Sequence, residues 1–78
     1  MTAKLHWLCR RGIKELDLLL EYYLTQHYPS ASAAEQNAFE RLLAYQDSEI
    51  LDLIFHHKED EDGDIRNLIR HLRQQKLV

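Results

Sequence analysis

A chain of 78 residues has room for one domain, and at that size only about 60% of the unfolded surface is buried on folding, so the core must be small. A single cysteine excludes an internal disulfide and suits a reducing compartment, while 13 acidic against 10 basic residues, a formal net charge of -3, set the overall field against a phosphate backbone. No apolar run approaches the roughly 20 residues that span a bilayer, and MTAKLHWLCRRG lacks the pattern of a signal peptide, which together lead us to expect a soluble, cytoplasmic protein without membrane insertion.

Leu, Ala, Glu, Gln, Lys and Arg dominate, and two glycines and one proline leave few breaks, so the predicted fold class is all-α, a compact five-helix bundle in a single domain over residues 1–78. The first segment places Leu5, Leu8 and Cys9 on one side and predicts a short helix from about Ala3 to Arg10. Gly12 then interrupts the pattern as a C-cap, a hinge or a point of close approach. From Ile13, a stripe of Ile13, Leu16, Leu20, Tyr23 and Leu24 predicts the longest helix, stopped by Pro29. Leu18, Leu19 and Tyr22 lie off that stripe, and core packing is the expectation for them as well.

Ser32 and Glu35 have the spacing of a capping box and open a third helix carrying Ala38, Phe39, Leu42 and Leu43 to about Ala44. Asp47 is placed to cap a fourth with Ile50, Leu51, Ile54 and Phe55 on its apolar side. The run HHKEDEDGD reads as a solvated turn. In the fifth helix, Asp64 is the expected cap, Ile65, Leu68, Ile69 and Leu72 form the buried face, and Arg70 and Arg73 sit toward the C-terminal dipole.

Few motifs carry chemistry. Cys9 lies on an apolar side and reads as a buried structural residue; a thiol enzyme using Cys9, Arg10 and His6 is the weaker reading. The five histidines show no metal-ligand spacing, KEDEDGD fails the calcium-loop pattern at both ends, and one glycine does not make a phosphate cradle. No catalytic, metal-binding or cofactor-binding residue is therefore assigned. Lys4, Arg10, Arg11 and Lys14 form a local basic group that would serve a small nucleic-acid-binding module, the alternative function. CRRGIKELD has two readings: a helix junction in which Arg11 and Glu15 pair and Asp17 is solvated, or a contact patch in which bare Gly12 admits a partner's backbone and Arg10, Arg11 and Glu15 supply polar contacts.

HWLCRRGIKELDLLL also resembles the signature of the succinate dehydrogenase assembly factor family, the flavinylation factors. The family core R-G-x-x-E is matched by Arg11, Gly12 and Glu15, and the longer bacterial pattern by His6, Trp7, Cys9, Arg10, Leu16 and Asp17, with Ile13 where methionine is common. FERLLAYQDSEILDLIF is similar to a second family segment through Phe39, Leu42, Leu43, Asp47 and Leu51, and Phe55 stands where many relatives have tryptophan. The resemblance implies a five-helix factor that binds the flavoprotein subunit of succinate dehydrogenase, or of fumarate reductase, and promotes covalent attachment of FAD to a histidine there. It would hold no cofactor stably, perform no bond chemistry itself, and be a monomer when free. The implied partner-binding residues are His6, Trp7, Arg10, Arg11, Gly12, Glu15 and Asp17, with Arg10 and Arg11 forking onto partner carboxylates or carbonyls. On this reading Gly12→Arg abolishes complex formation while leaving helical content and melting temperature nearly intact.

Overall fold

Apolar spacing becomes helix at each predicted place. A computed structural model describes residues 2–75 and contains five α-helices among them: α1 (Thr2–Leu8), α2 (Lys14–Gln26), α3 (Ala33–Leu42), α4 (Asp47–Phe55) and α5 (Gly63–Gln74). One 3₁₀ turn, Tyr28–Ser30, joins α2 to α3. The all-α expectation holds, with α3 and α4 packed on α5 and α2 reaching both α1 and α5. A single core cluster results, whose fully buried members include Tyr23 and Phe39, with ring centroids 4.8 Å apart, and Leu16, Leu20, Leu42, Ile50, Ile65, Leu68 and Leu72. The radius of gyration is 11.3 Å, close to the value of about 11.5 Å expected for a folded chain of this length.

The ends of the helices differ from expectation, and each difference has a local cause. α1 stops at Leu8 rather than Arg10, because the Cys9 and Arg10 amides bond back to Leu5, His6 and Trp7 in a tight closing turn. α2 ends at Gln26, ahead of Pro29, which occupies the 3₁₀ turn where a missing N–H is tolerated. Only half of the predicted capping box at α3 forms: Ser32 Oγ accepts from the Glu35 amide at 3.1 Å, but the Glu35 carboxylate turns inward to Tyr23 and His71. The full reciprocal box lies at α4, between Gln46 and Glu49, so Gln46 is the cap and Asp47 is the first helical residue. Asp62, not Asp64, caps α5, accepting from the Asp64 and Ile65 amides at 2.9 and 3.4 Å. Two aspartates in the acidic run therefore have structural work: Asp62 at the cap, and Asp60, which accepts from the Tyr45 hydroxyl and the Asp62 amide.

Two faces also need correction. Of the three off-stripe residues of α2, Leu19 joins the core while Leu18 and Tyr22 are 50% and 38% exposed, since one side of this helix has no neighbour packed over it. On α4 the buried face is Ile50, Leu53 and Ile54, so Leu53 takes the place expected for Phe55, which is 47% exposed.

Each of three tyrosines donates its hydroxyl to a carboxylate: Tyr23 to Glu35, Tyr28 to Glu40 and Tyr45 to Asp60. Burial and the Glu35 hydrogen bond raise Tyr23 far above an ordinary phenol, Glu40 raises Tyr28, and the hydrogen bond to Asp60 pushes Tyr45 up to about 12. A phenol raised in the folded state stabilises while it stays protonated. This contribution is fully present below the unfolded phenol value, about 10, and is lost as pH rises through the folded values. Phenolate absorbance and circular dichroism followed together upward in pH should therefore show these three tyrosines ionising with the loss of helix, above the range of a free phenol; phenolate absorbance equivalent to two or more of the four tyrosines near pH 10 with helix intact would contradict the pairing.

Candidate functional site

The corner between α1 and α2 is built from residues 9–13, which follow no regular structure. Gly12 turns it with φ +80°, a left-handed value that costs a residue with a Cβ about 1–2 kcal/mol. A Cβ added there would meet nothing within 4 Å, so the outer side of the turn is open. Both features proposed for Gly12 are present: it reverses the chain and leaves a bare spot. The expectation that Gly12→Arg leaves the melting temperature nearly intact is revised by the first of them.

Asp17, from the first turn of α2, reaches back to hold the corner. Its carboxylate accepts from the Arg11 amide at 2.6 Å and the Gly12 amide at 3.3 Å, so it is not merely solvated. It also places negative charge near the α2 N-terminus, where the helix dipole favours it; Ile13, the N-cap, has no side chain for that purpose.

Arg11 points inward. Its guanidinium donates to the Leu43 carbonyl and, at 3.4 Å, to the Tyr45 carbonyl, and lies 3.4 Å from Asp47 Oδ1, with its side chain only 16% exposed. The anticipated Arg11–Glu15 pair is replaced by this longer reach across the fold, and Glu15 is left exposed. A guanidinium so placed is not available to fork onto a partner's carboxylate. Arg10 is the outward one: its side chain is 76% exposed, with Nε 3.8 Å from Glu21 Oε2. The basic group of Lys4, Arg10, Arg11 and Lys14 thus loses Arg11 to the interior and has Glu21 beside Arg10, which weakens the nucleic-acid reading.

Beside the corner, Trp7 on α1 is 75% exposed and His6 is half-buried. Glu15, Leu18 and Tyr22, at i, i+3 and i+7, carry the exposed side of α2 away from Gly12. Leu18 and Tyr22 are the surface residues that sequence reasoning assigned to the core; their position off the main stripe was the signal. Cys9 closes the inner side of the corner, fully buried, and burial, with Glu21 adding to it, pushes its thiol up to about 11. A thiol in that state is neither exposed nor ionised at neutral pH, so the thiol-enzyme reading fails. Among the described residues, no group of three or more His, Cys, Asp or Glu side chains is arranged to hold a metal ion, and no helix is long and apolar enough to cross a membrane.

These observations define a class: a small all-α protein whose α1–α2 corner turns at a glycine and leaves a tryptophan exposed. The family described as "Flavinator of succinate dehydrogenase" matches residues 3–76, and the chain belongs to that family. Among curated relatives, the FAD assembly factor SdhE of Pseudomonas aeruginosa is 36% identical over 67 residues, covering 86% of this chain and 80% of the relative. That of Yersinia pseudotuberculosis is 34% identical over 68 residues, 87% of this chain and 77% of the relative. That of Pectobacterium atrosepticum is 31% identical over 67 residues, covering 86% and 76%.

The geometry separates residues that hold the corner from those that face outward. Asp17→Ala leaves two amides without their acceptor and should lower the unfolding free energy by about 1–3 kcal/mol, whereas Trp7→Ala should change it by no more than about 0.5 kcal/mol. Urea unfolding of the two variants checks the division, which fails if Trp7→Ala is the more destabilising.

Proposed function

We propose that this chain is an assembly factor that binds the flavoprotein subunit of succinate dehydrogenase and promotes covalent attachment of FAD to it. Family membership over residues 3–76 is the observation that carries the reading. The α1–α2 corner is the surface to which the reading assigns the contact. Trp7, Arg10, Gly12 and Glu15 face the partner there, with His6 at the edge: the indole supplies the apolar anchor, Arg10 the directional donors, and Gly12 the close approach. Arg11 and Asp17 act one step removed, by fixing the backbone on which the others stand.

The factor carries out no bond chemistry and keeps no FAD of its own. It favours a flavoprotein conformation in which the accepting histidine and the flavin are aligned, and alignment of reacting groups can lower a barrier by up to about 7–11 kcal/mol. A monomeric free state, residence in the cytoplasm and action on the flavoprotein of fumarate reductase belong to the same reading.

The test is in-gel flavin fluorescence of the succinate dehydrogenase flavoprotein from cells lacking this gene, supplied with the unaltered chain or with a Trp7→Ala, Arg10→Ala double variant. The unaltered chain should restore the covalent flavin signal. The double variant should fold normally yet bind the purified flavoprotein about 30-fold or more weakly, the loss of about 2 kcal/mol typical of an interface anchor. A covalent flavin signal that is the same with and without the gene would refute the function; full restoration by the double variant would refute the site.

A further inference from the structure

A second surface lies on the α4–α5 side of the molecule, built from residues that the corner does not use. Arg66, Arg70 and Arg73 recur on α5 at i, i+4 and i+7, a row about 10 Å long. Together with Lys58 they line a cleft of about 110 Å³ to which Leu53 and Ile69 contribute apolar wall. Lys58 is brought there by the reversal after α4, in which His57 takes φ +58° and the Lys58 amide bonds to the Asp52 carbonyl at 3.0 Å.

What distinguishes these cations is how they are held. Arg66 donates Nη1 to the carbonyls of Asp60 and Glu61 at 2.8 and 3.0 Å, and Arg73 donates Nε to the Leu53 carbonyl at 3.1 Å. Neutral carbonyls orient a guanidinium without cancelling its charge, in contrast to Arg11 and Arg41, which face carboxylates. Among the described residues, no carboxylate pairs with any of the four cations. Glu59 and Asp60 also line the cleft. The Asp60 carboxylate accepts from the Tyr45 hydroxyl and the Asp62 amide, neutral donors that fix it without cancelling its charge, so Glu59 and Asp60 set two negative charges against the four cations of the lining.

We infer that this cleft is a docking site for an acidic segment of the partner protein, an extended stretch with carboxylates on alternate residues. The row is too long for one small anion to satisfy, whereas alternate side chains of an extended strand lie about 6.6–7 Å apart and reach successive arginines. The acidic run 59–64 beside the cleft opposes every anion, and it opposes a polyphosphate chain, which carries charge at every unit, more than a segment with carboxylates on alternate residues only. Arg66 and Arg73, already fixed by the main chain, lose little freedom on binding, and Arg70 and Lys58 close over the segment. Assigning the segment to the flavoprotein rests on the function proposed above; the acidic-peptide chemistry does not.

The test uses the full chain and a double variant, Lys58→Gln with Arg70→Gln, since neither side chain has a recorded hydrogen bond or ion pair among the described residues. Amide chemical shifts are followed by NMR at 50 mM salt during titration with an octapeptide alternating Glu and Gly, its Gln–Gly counterpart, and a uridine octanucleotide. The Glu peptide alone should shift the amides of Lys58, Arg66, Ile69 and Arg70, and the double variant or 0.5 M salt should abolish the effect. No shift, the same shift in the variant, or a stronger response to the octanucleotide overturns the site. In parallel, the double variant should bind the purified flavoprotein about tenfold more weakly at low salt, and equal affinity overturns the assignment of the segment to that partner. If the unaltered chain does not bind the flavoprotein at all, it is the proposed function that fails, and the peptide titration still decides the cleft.

Discussion

The inward-facing Arg11 is the constraint on which the exposed corner depends. Its amide is fixed by Asp17 from α2, and its guanidinium by the chain between α3 and α4, 32 to 36 residues further on. One side chain thus joins the start of α2 to the end of α3 and the start of α4. Without it, the segment between Cys9 and Ile13 would be held by the Asp17 carboxylate, the burial of Cys9, the packing of Ile13 and the amide bonds of Cys9 and Arg10 back to α1, none of which ties it to the chain between α3 and α4. The left-handed turn at Gly12 carries no steric cost for glycine, and this bracing determines the path of the chain on both sides of it.

Seen from that brace, the molecule divides its charged residues into two uses. Asp17, Glu35, Asp60 and Asp62 face inward or along the backbone, where they satisfy amides, phenols and helix ends that the small core cannot cover. Arg10, Arg66 and Arg70 face solvent. With 78 residues the apolar core is limited, and the tyrosine–carboxylate pairs extend ordered packing beyond it: each phenol contributes apolar area inward and a strong donor outward.

Much of this was legible beforehand. Helical periodicity located all five helices and nearly all of the core, because burial of a stripe is a local property of spacing; the misplaced residues were Leu18, Tyr22 and Phe55, whose exposure depends on where neighbouring helices happen to end. Caps were misplaced by one or two residues: at α5, Asp62 and Asp64 are equally good caps in isolation, and at α4 the pairing of Gln46 with Glu49 takes the place expected for Asp47. The residues that make up the corner were nameable from the sequence, but not their internal geometry. The i, i+4 relation of Arg11 and Glu15 suggested a pair, and nothing near them indicates that Leu43, Tyr45 and Asp47 offer a better-shielded set of acceptors. Sequence pattern identifies which residues belong to a corner more readily than which of them face inward.

The long reach of Arg11 has one more consequence. The Arg11 guanidinium that braces the turn at Gly12 finds its acceptors only where α3 meets α4, so the surface beside Trp7 belongs to the tertiary fold and not to its own local segment. A protein that grips this corner is therefore reading the state of the whole chain: a truncated or half-folded copy would keep the same nine residues from Cys9 to Asp17 and yet present the wrong outline. On the proposed function, recognition of this corner is thereby tied to completion of the fold.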